Sequence, residues 1–472
     1  MTPSIEKSSA TDPFEAFNAR LDEGQAEASR GARFVAYCQE RLAEGGGLAA
    51  ARAVADMQLD AAQALLGVAK GERDGAEVMG ELGSRTRAGL RYESLVQTWG
   101  RQLFGSARLA GESVVAEDSH YRLVYIPARA GSPEAPPLFH VGGVLPYGDA
   151  FFRLLPEANF YERFTERGLP VYALELKGDR QAVDFQDLTL EGVIDAVSHF
   201  SGLAFDHAKG RKMILEGYCG LGAQALSYAL ARPLEANARF KVVGLFVSPV
   251  DGTRCRDLAQ IMQLMPKQVL EASYRWAELT GDYIGGDSLR ITQDLALKGF
   301  FAKTPLGRFV SGWKKPEYAA VATIDDLTPE MRKDLAGAYW ISPENCRRWP
   351  VPLDLSRFSA GLFTHGVDEK GALPASYHGR PISVADGAQG TRLQFVGFYG
   401  GKDALVPDAT ADVLKRELGE RYTHVVHPGA GHVSYVFSRK AWDPANPKGL
   451  TPNPVDALLE AYGKAGARAN ES

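Results

Sequence analysis

Ile214-Leu-Glu-Gly-Tyr-Cys-Gly-Leu-Gly222 joins the end of an apolar run to the start of a helical one, with Cys219 at the corner. A strand that turns sharply into a helix holds the residue at the turn in a strained backbone conformation and pushes its side chain out over the sheet. Neighbours must then be small enough for the chain to fold back, and Gly217 and Gly220 meet that need. Cysteine at the end of an apolar strand is also a common small core residue. The reading of Cys219 as a nucleophile therefore depends on what the rest of the chain supplies.

Downstream, Leu393-Gln-Phe-Val-Gly-Phe-Tyr-Gly-Gly-Lys-Asp403 reads as an apolar strand entering a Gly-Gly turn that ends on an acid. Val406-Pro407, a helical stretch from Ala409 to Leu418, a short β-branched strand from Tyr422 to Val426 and then Gly429-Ala-Gly-His432 follow. Nucleophile, acid and base in that chain order, each after a strand, is the grammar of the α/β-hydrolase fold. It predicts Cys219, Asp403 and His432 as catalytic residues. The thiol predicts acyl transfer rather than serine-type hydrolysis. Other roles stay open: Asp403 as a helix cap, Asp251 as an alternative acid, and His140, His424 and His427 as strand or loop histidines.

Composition frames this reading. The chain has 472 residues, more than one core usually serves, and suggests two or three units. With 45% hydrophobic and 24% charged residues it matches ordinary globular proteins. A formal net charge of -5 argues against nucleic acid as the main partner. The opening residues lack a basic segment followed by an apolar one, and no apolar stretch approaches bilayer length, which predicts a cytoplasmic protein without a transmembrane segment. Cys38, Cys219, Cys255 and Cys346 are too scattered for a CxxC metal or redox motif. No metal or cofactor is expected.

The chain divides into four expected parts. Residues 1–112 read as a helical region, in which Leu48, Ala51, Ala55, Leu59, Ala62 and Leu66 recur at helical spacing and predict a packed bundle. Gly45-Gly46-Gly47 is expected to break two of its helices. Residues 113–250 alternate strands and helices, beginning at Tyr121-Arg-Leu-Val-Tyr-Ile126 and continuing through Leu138–Val141, Val171–Leu176, Met213–Leu215 and Val242–Val247. Such alternation predicts a mostly parallel sheet flanked by helices. Residues 251–390 lose the strand rhythm and carry Trp276, Trp313, Trp340 and Trp349. This insertion is expected to cap Cys219 and leave a narrow apolar channel. Residues 391–472 resume the core.

Gly217-Tyr218-Cys219 resembles the Gly-Tyr-Cys box of the polyhydroxyalkanoate synthases. Leu155-Pro-Glu-Ala-Asn-Phe160 is similar to that family's Pro-Glu-Asn-Ser-Phe element. Phe363 to Ile382, Asp403 with Val406-Pro407, and Gly431-His432-Val433 are similar to its later segments, so the likeness spans roughly residues 120 to 440. It implies an acyltransferase that polymerises (R)-3-hydroxyacyl-CoA through a cysteine-bound thioester and releases CoA. It further implies that Asp403 helps activate the 3-hydroxyl of the next unit. For the N-terminal region it implies contacts with a second copy in a homodimer and with the polymer-granule surface.

The chain departs from that pattern at three places. Leu221 stands two residues after the nucleophile where the family has glycine, Gly143-Val144 replaces a Pro-Pro pair, and Arg153 replaces an acid. A side chain at 221 is expected to tilt the elbow or displace the Gly220 N–H, slowing turnover on 3-hydroxybutyryl-CoA.

In either reading of the substrate, the backbone N–H groups of Gly220 and of Val144, in the loop from Gly143 to Leu145, are the expected oxyanion donors. Two alternatives accompany the synthase reading. One is a cysteine-dependent ester, thioester or lactone hydrolase of the dienelactone-hydrolase type, with the same Cys, Asp, His order. The other, motivated by Leu221 and Arg153, is a weakly active granule-associated or assembly partner.

Overall fold

The structure, a computed structural model, describes residues 13–471 apart from 130–134, 144–147, 178–187, 298 and 444. Its centre is an eight-stranded sheet. The strands are β1 (Ser113–Glu117), β2 (Tyr121–Ile126), β3 (Leu138–Val141), β4 (Val171–Leu176), β5 (Met213–Tyr218), β6 (Phe240–Phe246), β11 (Gln394–Gly400) and β12 (Tyr422–His427). Their order across the sheet is β1-β2-β4-β3-β5-β6-β11-β12. Only β2 runs against its neighbours, and every other pairing is parallel. This is the α/β-hydrolase fold. Four short strands lie outside the sheet: β7 (Tyr283–Ile284) pairs with β8 (Val351–Pro352), and β9 (Ala372–Tyr377) with β10 (Arg380–Ser383).

The inner strands β3, β4, β5 and β11 are buried along their whole length. That is why they read as unbroken apolar runs rather than alternating ones. Successive residues still face opposite ways. Phe139, Leu174, Leu215 and Val243 enter one core cluster with the helices Leu190–His207 and Gly220–Ala231. Leu138, Ala173, Ile214 and Val242 enter another, with the helix Pro454–Glu471. Both faces of the sheet are therefore covered, as a parallel sheet requires.

Residues 251–390 contribute no strand to the central sheet. The N-terminal helices pack on this insertion. Tyr92, Leu95, Val96 and Leu103 share a buried cluster with Tyr318, Met331, Leu335 and Tyr339, and Tyr37 meets Ile261 and Leu295 in a smaller one. Asp74 starts the helix Gly75–Leu95 by accepting from the Glu77 N–H at 2.9 Å.

Two expectations for this region are corrected. Gly45-Gly46-Gly47 does not end a helix: Pro13–Leu42, a π-turn at Ala43–Gly47 and Leu48–Ala69 form one helical run, right-handed at both junctions. A widened turn accommodates the extra residue without breaking the run. The periodic row on the second half is also not a bundle core. Leu48, Ala51, Ala55, Leu59, Ala62 and Leu66 are all exposed. Among the described residues, no helix is long and apolar enough to cross a membrane, and no group of His, Cys, Asp or Glu could hold a metal ion.

Candidate active site

β5 delivers Cys219 to the top of the sheet at φ 52° and ψ -127°. A non-glycine residue there carries strain on the order of 1–3 kcal/mol. Hydrogen bonds on both sides enforce it. The Cys219 N–H donates to the Phe246 carbonyl at 2.8 Å, and the Cys219 carbonyl accepts from the Gly222 N–H at 3.0 Å, starting the helix Gly220–Ala231. As the first residue of that helix, Gly220 has a backbone N–H that the helix does not use.

Gly222 is where the helix comes closest to the sheet. A Cβ there would lie 1.7 Å from Ser248 Oγ and 2.9 Å from the Gly217 carbonyl oxygen, whereas one on Gly220 would meet nothing within 4 Å. The tight contact expected at position 221 is thus taken over by Gly222. Leu221 itself is fully buried in the apolar cluster that also holds Tyr218 and Phe246. The expected tilt of the elbow is corrected accordingly: the corner keeps its strained geometry with leucine in place. Exchanging the pair, Gly220→Leu with Leu221→Gly, removes a buried leucine side chain and should destabilise the protein by about 2–5 kcal/mol. Unfolding in urea checks this. Unchanged stability with faster turnover would restore the opposite view.

Asp403 and His432 come from the two loops that follow β11 and β12. These loops meet backbone to backbone: a Cβ on Gly400 would lie 2.5 Å from the Ala430 carbonyl oxygen, and the Lys402 N–H donates to that carbonyl at 2.9 Å. The Gly-Gly turn is therefore what lets the acid reach the base. His432 Nδ1–H donates to Asp403 Oδ2 at 2.8 Å. Asp403 Oδ1 accepts from the N–H groups of Leu405 at 2.9 Å and Val406 at 3.0 Å. One oxygen therefore closes the turn at Leu405 and Val406, not the expected helix near Pro407, and the other faces the imidazole. The Tyr218 hydroxyl donates to the His432 carbonyl and ties the base to the strand that carries Cys219.

The Asp403 side chain is fully buried, while His432 keeps 17% of its side chain exposed. Burial pulls the His432 pKa down. The charge on Cys219, the hydrogen bond with Asp403 and the Asp403 charge outweigh that and push it up to about 10. The arrangement sets His432 between Cys219 and a buried carboxylate behind the ring.

The other singled-out residues lie elsewhere. Asp251 spends its carboxylate on its own loop, accepting from the Thr253 hydroxyl at 2.5 Å and from Arg254 at 3.1 Å. His424 pairs with Asp408 at 3.2 Å. His427 lies between the Tyr435 hydroxyl at 2.8 Å and the Pro452 carbonyl at 2.9 Å, and burial lowers its pKa. His140 is fully buried and donates to Glu216 at 2.5 Å. Arg153 is also buried, bridging Glu175 and Glu112 at 2.6 Å each beneath the Tyr161 ring. Neither Arg153 nor Leu221 removes a group from the Cys219, His432 and Asp403 arrangement. Val144 lies outside the described residues. Asp149, buried at the end of the same loop, was not singled out in the sequence. Its signal was an acid directly after Gly148 in an otherwise apolar stretch.

An aromatic wall rises beside the elbow. Phe151 packs on Tyr218 at 5.9 Å between ring centroids, on Phe437 at 5.5 Å and on Trp340 of the insertion at 5.1 Å. Trp340 and Phe437 are 5.2 Å apart. Cys219 is partly exposed. Trp340→Ala should raise the rate of Cys219 labelling by a bulky maleimide several-fold relative to iodoacetamide. An unchanged ratio of the two rates would mean that this wall does not limit access.

No family model and no curated protein matches the chain. Solved structures similar to it include a carboxylesterase from Nitrososphaera gargenis, at 13% identity over 74% of this chain and 98% of that one, with a TM-score of 0.38. The thioesterase domain of the curacin biosynthetic pathway shows 13% identity over 75% and 98%, at 0.37. The 2-hydroxy-6-oxo-6-phenylhexa-2,4-dienoate hydrolase of Rhodococcus sp. strain RHA1 shows 15% over 69% and 95%, at 0.31. Likeness of this degree does not extend to substrate or reaction.

Proposed function

We propose that the chain is an acyltransferase that carries its acyl group on the Cys219 sulfur, taking it from a 3-hydroxyacyl-CoA and passing it to the hydroxyl of a further 3-hydroxyacyl unit. The observation that carries this reading is a cysteine on a strained elbow beside a histidine that a buried aspartate holds. A thiol beside a histidine passes it a proton and becomes the nucleophile.

In the first step the Cys219 sulfur bonds to the acyl carbon and the bond from that carbon to the CoA sulfur breaks, CoA taking up the proton from His432. Thioester replaces thioester, so the acyl group stays activated. In the second step the incoming hydroxyl oxygen bonds to the acyl carbon, its proton goes to His432, and the Cys219 thiolate leaves. The N–H groups of Gly220 and Val144 are the proposed donors to the oxyanion in both steps. Water competes with the hydroxyl in the second step. The wall of Phe151, Trp340 and Phe437 is apolar and disfavours it.

Incubation with 3-hydroxybutyryl-CoA tests the reading. CoA release accompanied by ester-linked oligomers is the expected result. CoA release with free 3-hydroxybutyrate as the sole product would make the protein a hydrolase. No CoA release would leave the assembly-partner reading.

A further inference from the structure

Asp149 joins three backbone segments near the expected oxyanion loop. Its Oδ1 accepts from the Gly143 N–H at 3.2 Å and its Oδ2 from the Leu176 N–H, at the end of β4, at 2.6 Å. Gly142 fits between the same groups: a Cβ there would lie 1.9 Å from the Leu174 carbonyl oxygen and 2.4 Å from Asp149 Oδ1. Gly143 and Gly148 both adopt positive φ, at 138° and 62°, and a Cβ on Gly148 would lie 2.4 Å from the Trp349 ring of the insertion. The backbone on either side of residues 144–147 is thus fixed to the sheet, to the insertion and to one carboxylate.

We infer that Asp149 is a positioning residue whose ionised carboxylate holds Gly143 in register with β4, and that acyl transfer at Cys219 depends on that tether although Asp149 touches no reacting atom. The inference rests on the acyl-transfer reading of the site. Its physical basis is that two backbone N–H groups aim at the two oxygens, so both oxygens must be acceptors. An amide at this position, or a protonated acid, turns a donor toward one of the two N–H groups and loses that tether.

The surroundings make the ionised form conditional. Asp149 is buried, Glu175 on β4 and His140 on β3 face it, and Tyr161 lies behind. Arg153 is engaged with Glu175 at 2.6 Å, and His140 with Glu216 at 2.5 Å. Burial first, and then the Glu175 charge, push the Asp149 pKa up to about 7, against the pull of its two N–H donors and of His140. The tether is therefore complete above that pH and is lost as pH falls through it.

Two rates at Cys219 test this: first-turnover acylation by 3-hydroxybutyryl-CoA, read as a burst of CoA, and alkylation by iodoacetamide. Both need the thiolate, but only acylation needs the oxyanion donors, so the ratio of the rates isolates the loop. In the unmodified protein this ratio should fall roughly tenfold between about pH 8.5 and about pH 6, as a single ionisation near 7 requires. Asp149→Asn should slow acylation about a hundredfold, the scale of losing one oxyanion donor, with alkylation within about twofold and the ratio flat with pH. A flat ratio in the unmodified protein, or acylation and alkylation falling together in the variant, would overturn the inference. Absence of any CoA burst in the unmodified protein would instead remove the acyl-transfer reading itself, and the inference with it.

Discussion

Cys219→Ala is expected to lower CoA release from 3-hydroxyacyl-CoA by on the order of 10⁵-fold or more, the scale seen when a covalent nucleophile is removed from an intact site. The loss should come without unfolding. The Cys219 side chain is only partly buried, so alanine leaves the core around Tyr218 and Leu221 in place. Circular dichroism and the thermal midpoint should match those of the unmodified protein while thiol release disappears. Retention of more than about a tenth of the activity would place the nucleophile elsewhere. Cys255 and Cys346 are poor substitutes, being buried, and burial pushes the Cys255 thiol well above its ordinary range.

Asp403→Asn should cut turnover by about 10²- to 10⁴-fold, since the amide cannot accept from His432 Nδ1–H with the same charge and turns the ring toward the wrong tautomer. It should also move the alkaline limb of the pH profile. In the unmodified protein the imidazolium survives until pH rises through about 10. Activity that needs it is present below that value and lost above. Replacing the carboxylate by an amide takes away a charge and the charge assistance of a hydrogen bond that raise the His432 pKa, leaving burial to act more freely, so the limb should shift to lower pH. A steady-state profile of kcat/KM for both proteins checks this. A limb at the same pH in the variant would mean that Asp403 does not hold the catalytic imidazole.

The parts legible in the sequence are those where burial leaves little choice. β3 and β4 coincide with the apolar runs read from the chain, and the elbow, the Gly-Gly turn and the Gly-rich stretch before His432 each mark a close backbone approach. β1 escaped notice because Ser113–Glu117 is an exposed edge strand with no fully buried residue, so it carries neither an apolar run nor a clear alternation. The role of Leu221 was misread because helix-to-sheet contact depends on where each Cβ points, and Gly222 rather than position 221 turns out to face Ser248. Helical periodicity in residues 48–66 gave a true helix but not its environment, since a row of Leu and Ala reads the same whether covered or exposed. The position of Asp149 after Gly148 in an apolar stretch hinted at a buried acid but not at its role, for a related reason. Its partners are the backbone N–H groups of Gly143 and Leu176, which no residue pattern records.

The central claim is that an acyl group resides on Cys219 during turnover, and peptide mapping by mass spectrometry after rapid quenching with 3-hydroxybutyryl-CoA tests it most directly. The account predicts a 3-hydroxybutyryl adduct, labile to hydroxylamine, on the peptide that contains Cys219. An adduct confined to the peptides of Cys38, Cys255 or Cys346, or CoA release with every cysteine unmodified throughout, would contradict it.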